Sequence, residues 1–319
     1  SKYQFIFVTF NAEKGVYDDE IIQLGGIIYN VGSPYSFLGF IKLKKQFPNA
    51  NIAHIHTYFN CGINAYWFKL LGCRKIISHS HTAFPKSQNR LKLYYQKVSQ
   101  HLINFFSTDK LACSRDAAIA LFGVDEKYTF LPNFVDPMPF IQVKQTRNTE
   151  KIQVGHVGRF TQEKNHFFIL ELAKFSKQNK YPIFFNLVGT GPLLTTIKDE
   201  IDKYDLHDYI KLIGASNNIP EVMNSFDCFI LPSTVEGFGL VLLEAQAASL
   251  QCFVSRAIQP EAILDLNLVK LLDMNVQEWV EQILHVQHCS YSQNQILSAF
   301  SRAGLDYPSI IKVLEKTYE

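Results

Sequence analysis

Short apolar runs alternate with amphipathic stretches along almost the whole chain. The runs have the length of buried strands, and the stretches between them carry apolar residues at the spacing of helices. This alternation predicts an α/β fold with parallel sheets and helices on both faces. In the first half, strands are expected at 3–8, 25–29, 51–56, 76–82, 110–114 and 129–133, and helices at 18–23, 62–71, 91–106 and 115–122. In the second half, strands are expected at 152–157, 183–188, 210–213, 228–231 and 252–254, and helices at 165–177, 192–204, 219–225, 240–249, 276–285 and 307–319.

The length of the chain favours two domains. At 319 residues it exceeds the size of most single hydrophobic cores. The stretch that follows Asp136 has little periodicity and several polar clusters, which is typical of a linker. We therefore expect an N-terminal domain at 1–138, a linker at 139–150, a C-terminal domain at 151–305 and a C-terminal helix at 306–319.

The composition, with 47% apolar and 19% charged residues, is that of a globular protein and not of a disordered one. No apolar run approaches the ~20 residues of a membrane-spanning helix, and the first residues lack the pattern of a secretory signal. The six cysteines are scattered without a C-x-x-C pair, as expected for reduced thiols. These features predict a cytoplasmic protein.

The net charge of +2 conceals an uneven distribution. Residues 1–150 carry 17 Lys and Arg against 10 Asp and Glu, whereas residues 151–319 carry 14 against 19. No acidic residue occurs between Glu20 and Asp109, where ten basic residues do. The first half can present a basic face to an anionic membrane, at its inner surface, or to a lipid diphosphate. An ordinary solvated surface remains the alternative, and nucleic acid is not expected because no binding motif accompanies the charges.

The most informative stretch is 232–249, where a strand, a turn and a helix follow each other. The apolar strand stops at Pro232, two glycines flank Phe238, and strong helix formers begin at Leu240. The backbone N–H groups of Phe238, Gly239 and Leu240 therefore lie at an open helix N-terminus, which is suited to a phosphate group.

Two glutamates bracket this turn. Glu236 precedes it, and Glu244 lies in the otherwise uncharged helix. A carboxylate in so apolar a helix is costly unless it meets a polar partner, and a ribose diol can be that partner. A capped helix with one exposed glutamate is the simpler interpretation and stays open on these residues alone.

A second loop also carries candidate phosphate ligands. Arg159 and Lys164 stand five residues apart between a predicted strand and a predicted helix. Both cations can converge on a diphosphate, Arg through its planar fork and Lys as a point charge. Two unrelated surface cations are the alternative.

The histidines form two H-x-H pairs, His54 with His56 and His79 with His81, each at the end of a predicted strand. Residues i and i+2 of a strand share a face, so the four imidazoles could imitate a metal site. We do not expect one, because no carboxylate or cysteine lies nearby in sequence to complete it. Hydrogen-bonded histidines at strand ends are the simpler alternative. The chain contains no D-x-D motif for a metal–diphosphate bridge.

These motifs together resemble those of a known family. Glu236 and Glu244, with Gly-Phe-Gly-Leu between them, resemble the E-x7-E motif of retaining, nucleotide-sugar-dependent glycosyltransferases of the GT-B fold, in particular those that build bacterial exopolysaccharide and capsule. The segment 158–165 resembles the diphosphate loop of that family, 188–192 its glycine turn, and 211–214 its base-contacting strand end. The resemblance covers roughly residues 50–319.

The resemblance implies two Rossmann-like domains with parallel sheets facing an interdomain cleft. It implies transfer of a hexosyl or N-acetylhexosaminyl group, with retention, from a UDP-linked sugar to a saccharide or a polyprenyl-diphosphate-linked saccharide. No metal or cofactor besides the nucleotide-sugar donor is expected. The implied catalytic residues are His81, against the donor sugar with His56 as second candidate, and Glu236. The implied donor-binding residues are Gly158, Arg159, Lys164, Gly189, Ile213, Phe238, Gly239, Leu240 and Glu244.

The chain departs from the family in two places. Phe134 replaces a glycine in the Asn133–Asp136 stretch, which we therefore interpret as structural. Relatives place a strand, a glycine-rich loop and a helix before the part that corresponds to Tyr3, whereas this sequence starts at Ser1. Either those residues were cut away from this chain, or the natural protein lacks them. Two alternatives stay open: a catalytically impaired nucleotide-binding remnant, and a nucleotide-sugar epimerase of the same fold.

Overall fold

A computed structural model describes residues 3–83, 89–141 and 150–319. Most of the predicted linker, at 142–149, lies outside the described residues. The described residues fall into two compact units. The first contains 3–81, 89–130 and 316–319, and the second contains 82–83, 131–141 and 150–315.

In its described part the first unit has a four-stranded parallel sheet, in the order β3-β4-β5-β6, and a separate parallel pair, β1-β2. The core of the larger sheet is formed by Ile76, Ile103, Leu121 and Phe122, which are all buried. The elements are β1 (Ile6–Thr9), α1 (Asp18–Gln23), β2 (Ile27–Asn30), α2 (Phe37–Gln46), β3 (Ile52–Ile55), α3 (Cys61–Leu70), β4 (Lys75–Ser80), α4 (Arg90–Phe106), β5 (Asp109–Ala112), α5 (Arg115–Phe122) and β6 (Thr129–Phe130).

Side-chain caps explain where several of these helices begin. Ser114 precedes α5, and its hydroxyl oxygen accepts a hydrogen bond from the Ala117 N–H at 3.1 Å. Ser36 caps α2 in the same way through the Gly39 N–H at 3.2 Å. α2 was not predicted, although Ser36 as a capping residue and the apolar Phe40 and Leu43, three positions apart on one face, are signals in the sequence.

In its described part the second unit has a six-stranded, all-parallel sheet in the order β12-β11-β10-β7-β8-β9. Its core includes Phe185, Ile230, Phe253 and Trp279, none of which is exposed to solvent. The elements are β7 (Ile152–Val157), α6 (His166–Asn179), β8 (Ile183–Val188), α7 (Leu194–Lys203), β9 (Ile210–Gly214), α8 (Ile219–Met223), β10 (Cys228–Leu231), α9 (Leu240–Ala247), β11 (Gln251–Ser255), β12 (Val269–Leu272), α10 (Val276–Leu284) and α11 (Gln293–Arg302). The last helix, α12 (Tyr307–Tyr318), begins in this unit, and its residues from Lys316 onward belong to the first unit.

The strand order creates a topological switch point in the second unit. β7 lies between β8 and β10, and the chain continues from β7 to β8 and β9 on one side before β10 begins the other side. In open parallel sheets the loops that follow two such strands diverge and leave a crevice at the carboxyl ends, where ligands bind. The loops after β7 and β10 are therefore the place to look for a site.

The predicted α/β class with parallel sheets is confirmed. The strands β7, β8 and β10 and the helices α1 and α5 have the predicted bounds. β12 and α11 were not predicted, and β1 begins at Ile6, later than expected. Within the described ranges, no helix combines the length and the apolar character needed to cross a membrane.

Candidate functional site

The turn before α9 is built on a glycine. Gly239 has a φ of +88° in the left-handed region, which a side chain would strain, and it is the N-cap residue of α9. No side chain of the described residues caps this helix. The Gln259 side-chain amide holds the turn in place by donating to the carbonyl oxygen of Glu236 at 3.2 Å. The predicted helix start at Leu240 is the observed one.

Two of the predicted site residues meet directly. Lys164, in the loop after β7, and Glu236, in the loop after β10, form an ion pair with Nζ and Oε2 2.6 Å apart. Their side chains are only 19% and 12% exposed, so solvent screens the pair less than a surface ion pair. The Ser233 hydroxyl donates to the same carboxylate oxygen at 3.1 Å.

Backbone contacts hold these two loops together. The Thr234 N–H donates to the Glu163 carbonyl oxygen at 2.8 Å, and the Asn165 side-chain amide donates to the Pro232 carbonyl oxygen at 3.2 Å. Asn165 has a φ of +55°, a left-handed conformation that asparagine tolerates better than most residues. The position of Lys164 at the switch point is thus fixed by contacts on both sides of it.

The glycine turn after β8 lies against the loop after β7. Gly189 has a φ of +134°, and a Cβ atom there would lie 2.1 Å from the Gly158 carbonyl oxygen. A Cβ atom on Gly191 would lie 2.6 Å from the Phe160 backbone nitrogen. Only glycine permits these approaches. The Gly158 N–H donates to the Val188 carbonyl oxygen at 2.9 Å, which joins the two loops.

The same turn continues to the end of β9. The Gly189 N–H donates to the Gly214 carbonyl oxygen at 2.8 Å, and Ile213, at the end of β9, is 37% exposed. The carboxyl ends of β7, β8, β9 and β10 therefore supply Gly158, Gly189, Ile213 and Glu236 from one edge of one sheet.

Arg159 differs from Lys164 in its surroundings. It is exposed, and within the described ranges its side chain makes no hydrogen bond or ion pair. Its guanidinium group can therefore bind an anionic ligand directly, whereas the ammonium group of Lys164 is already paired with Glu236.

Glu244 is the other unusual carboxyl group. It is partly buried on α9, and no described residue forms a hydrogen bond or ion pair with its side chain. Burial raises the pKa of this carboxyl group from 4.5 to about 7. A carboxyl group held in this way favours a ligand that donates hydrogen bonds.

A pair of buried histidines, one on either side of the loop after β7, was not predicted from the sequence. His156 is fully buried, and its Nδ1 lies 3.0 Å from the Ile230 carbonyl oxygen. Among the described residues, its Nε2 and both ring nitrogens of His166 have no hydrogen-bond partner. Burial lowers the pKa of His166 to about 4 and that of His156 well below its usual value, so both rings are neutral. In the sequence, the only indication of this pair is the presence of a histidine on each side of the loop.

The first unit contains the predicted histidines, and they converge. His54 Nε2 lies 3.2 Å from His79 Nδ1, and His56 Nδ1 lies 2.7 Å from His81 Nε2. The ligand nitrogens of His54, His56 and His79 all lie within 4.8 Å of one another. The sequence did not predict this convergence across two strands, and the expectation that no metal binds stays a prediction.

Desolvation keeps the imidazoles of His54 and His56 neutral. Burial, and then the neighbouring histidines, lower the pKa of His54 to about 3. Desolvation and the neighbouring His81 lower the pKa of His56 to about 4, although the residue is exposed overall. The roles predicted for His81 and His56 stay predictions.

The chain was compared with known proteins by sequence. Residues 138–296 match the family of glycosyl transferases group 1. The putative glycosyltransferase EpsF of Bacillus subtilis (strain 168) is 31% identical over 345 residues, which cover 100% of this chain and 89% of EpsF. The UDP-Gal:alpha-D-GlcNAc-diphosphoundecaprenol alpha-1,3-galactosyltransferase of Escherichia coli is 27% identical and covers 69% of this chain and 61% of its own length.

Comparison with solved structures gives the fold. HepE of Anabaena, in complex with UDP and glucose, superposes with a TM-score of 0.76 at 15% identity, covering 98% of this chain and 91% of HepE. TarM superposes with a TM-score of 0.69 at 14% identity, covering 89% of this chain and 58% of TarM. These likenesses confirm the predicted GT-B fold, and the identity with EpsF confirms the predicted family. The chain is a glycosyltransferase and belongs to the glycosyl transferases group 1 family.

Proposed function

We propose that this enzyme transfers a hexosyl or N-acetylhexosaminyl group, with retention of configuration, from a UDP-sugar to a saccharide or polyprenyl-diphosphate-linked saccharide in cell-surface polysaccharide synthesis. The observation that carries the proposal is the meeting of Lys164 and Glu236 at the switch point, beside the N-terminus of α9. A cation and an open helix end in one place favour a diphosphate.

The diphosphate is the leaving group of this reaction. When the bond between the sugar C1 and the phosphate oxygen breaks, negative charge grows on the diphosphate, and preorganised donors stabilise it. Arg159, Lys164 and the N–H groups at Phe238, Gly239 and Leu240 are the proposed donors. The acceptor hydroxyl oxygen then bonds to C1 from the face that the diphosphate leaves, and its proton passes to the departing diphosphate oxygen.

The ion pair of Lys164 suggests how the donor is received. In the free enzyme its ammonium group is held by Glu236 at 2.6 Å. On donor binding, Lys164 exchanges this carboxylate for the diphosphate. The carboxylate of Glu236 then accepts hydrogen bonds from hydroxyl groups of the sugar, which couples recognition of the diphosphate to recognition of the sugar.

The nucleoside is assigned to the remaining predicted residues. Glu244, whose carboxyl group lacks a partner among the described residues, accepts hydrogen bonds from the ribose diol. Backbone groups of Ile213 hold the base. UDP as the nucleotide is supported by the UDP bound to HepE and by the UDP-Gal named for the Escherichia coli relative.

The acceptor and the place of action are proposed on two grounds. The Escherichia coli relative is named for a diphosphoundecaprenol-linked acceptor, and a Staphylococcus aureus relative is named as a capsular polysaccharide biosynthesis glycosyltransferase, CapH. The basic residues between Glu20 and Asp109 suit an anionic lipid surface. We therefore place the enzyme in the cytoplasm, at the inner face of the membrane.

The test is a transfer assay with UDP-galactose, UDP-glucose and UDP-N-acetylglucosamine as donors and α-D-GlcNAc-diphosphoundecaprenol as acceptor, in EDTA. We expect one donor to yield a lengthened lipid-linked saccharide by mass spectrometry, with an α-anomeric proton by NMR. A β-linked product would refute retention. Conversion of donor without acceptor would indicate an epimerase, and donor binding without turnover a remnant. A rate restored only by Mg²⁺ would refute metal independence.

A further inference from the structure

Four histidines lie at the carboxyl ends of two neighbouring strands of the first unit. β3 and β4 pair in parallel register from Ile52 with Lys75 to Ile55 with Ser78. His54 lies on β3 and His79 on β4, and His56 and His81 follow each strand with the same two-residue spacing. Because residues two apart share a face, all four rings lie side by side, with centroids of neighbouring rings 3.9–5.3 Å apart.

The nitrogen positions fit a tetrahedral metal ion. Two imidazole nitrogens bound to one zinc ion at about 2.0–2.1 Å are about 3.3 Å apart. His54 Nε2 and His79 Nδ1 are 3.2 Å apart, which matches that separation. A ligand nitrogen of His56 lies within 4.8 Å of both. His56 is exposed overall, so rotation of its ring can close the remaining gap of about 1–2 Å.

The first histidine also has the supporting contact that metal ligands have. His54 Nδ1 lies 2.8 Å from the hydroxyl group of Tyr318, in the last turn of α12. A metal-binding histidine usually donates its other ring N–H to such a partner, which fixes the ring and its tautomer. With Nδ1–H donating to Tyr318, the Nε2 lone pair of His54 faces His79.

We propose that His54, His56 and His79 form a binding site for one transition-metal ion of the zinc class, with a coordination position left for water. The ligands of this group are imidazoles alone, which suit Zn²⁺, Co²⁺, Ni²⁺ and Cu²⁺, whereas Mg²⁺ and Ca²⁺ require oxygen ligands. All three ligands lie in the first unit, and none of them belongs to the proposed diphosphate site, so the metal site stands whether or not the proposed transfer reaction is correct.

The first test is calorimetric titration of ZnCl₂ into the full chain without a histidine tag. We expect one Zn²⁺ per chain and no binding of MgCl₂. His54→Gln and His79→Gln should each weaken zinc binding at least 10-fold. The matched control is His101→Gln, an exposed histidine on α4 of the same unit, which should leave the affinity unchanged. Absence of 1:1 binding, or equal losses in all three variants, would overturn the proposal.

Two further readouts do not depend on the folding of a ligand variant. Tyr318→Phe keeps the ring that packs edge-on against Tyr3 with centroids 5.4 Å apart and removes only the hydroxyl group. It should weaken zinc binding by 10–100-fold, as loss of a supporting contact does. X-ray absorption of the zinc-loaded wild-type chain should show three imidazole nitrogens at about 2.0 Å. Fewer than three imidazoles would refute the site.

Discussion

Glu244→Gln tests the most unusual electrostatic feature of the second unit. Burial raises the pKa of Glu244 from 4.5 to about 7 in the folded protein, with no partner in the described residues to compensate. At a pH between these two pKa values, the carboxyl group of Glu244 keeps its proton in the folded protein and has lost it in the unfolded chain. The free energy of unfolding therefore decreases as the pH rises from 4.5 to 7, and the loss is complete above 7.

The size of the effect follows from the shift. One pKa unit corresponds to about 1.4 kcal/mol, so the raised pKa of Glu244 lowers the free energy of unfolding, relative to its value at low pH, by roughly 3 kcal/mol at pH 8 and roughly 1 kcal/mol at pH 5.5. Glutamine keeps the shape of the side chain without a charge. The free energy of unfolding of Glu244→Gln relative to the wild type should therefore rise by roughly 2 kcal/mol between pH 5.5 and pH 8.

The assay is urea unfolding followed by tryptophan fluorescence. The chain has two tryptophans, Trp67 in the first unit and Trp279 in the second. Both proteins are therefore measured in a Trp67→Phe background, so that Trp279 reports on the unit that contains Glu244. The control is Glu281→Gln, an exposed glutamate on α10, which should show no such dependence on pH. A difference between Glu244→Gln and wild type that does not change with pH would refute the reasoning.

Three further substitutions probe the loops of the switch point. Arg159→Ala removes an exposed side chain, so it should change the free energy of unfolding by less than about 0.5 kcal/mol. It should lower the affinity for UDP-glucose, measured by calorimetry, at least 10-fold. Unchanged affinity would reject Arg159 as a ligand of the diphosphate. Lys164→Met removes the cation from the carboxylate of Glu236, which keeps only the hydrogen bond from Ser233, and should cost about 1–3 kcal/mol in urea unfolding. Adding Glu236→Gln should recover part of that loss, and no recovery would contradict the pairing. The Cβ atom of Gly189→Ala meets a backbone oxygen at 2.1 Å, so this variant should lower the free energy of unfolding by more than about 2 kcal/mol. Gly214→Ala meets nothing within 4 Å and should lower it by only about 1 kcal/mol, through backbone strain. Equal losses in the two variants would refute the close approach at Gly189.

Much of the second unit was predictable because its signals are local. The apolar run 228–231 and the helix formers after Gly239 define β10 and the start of α9 without reference to the rest of the chain. The order of the strands is not local. Nothing between β7 and β10 indicates that they become neighbours, so the ion pair between Lys164 and Glu236, 72 residues apart, could be expected only from the family resemblance.

The histidines illustrate the same limit in two ways. The spacing of His54 and His56 predicts a shared face, but only the register of β3 against β4 brings His79 within 3.2 Å of His54. His156 and His166 give no periodic signal, because each is a single polar residue at the border of an apolar segment. Their burial beneath the loop after β7 depends on long-range packing, which a local pattern does not contain.

The central claim is that residues in the loops after β7 and β10, at the end of β9 and on α9 form one binding site for a UDP-sugar. The most direct measurement is a crystal structure of the chain with UDP. We predict the diphosphate within hydrogen-bond distance of Lys164 Nζ and of the N-terminus of α9, with both ribose hydroxyl groups on the carboxylate of Glu244. UDP bound elsewhere, or bound without contact to Lys164 and Glu244, would contradict the claim.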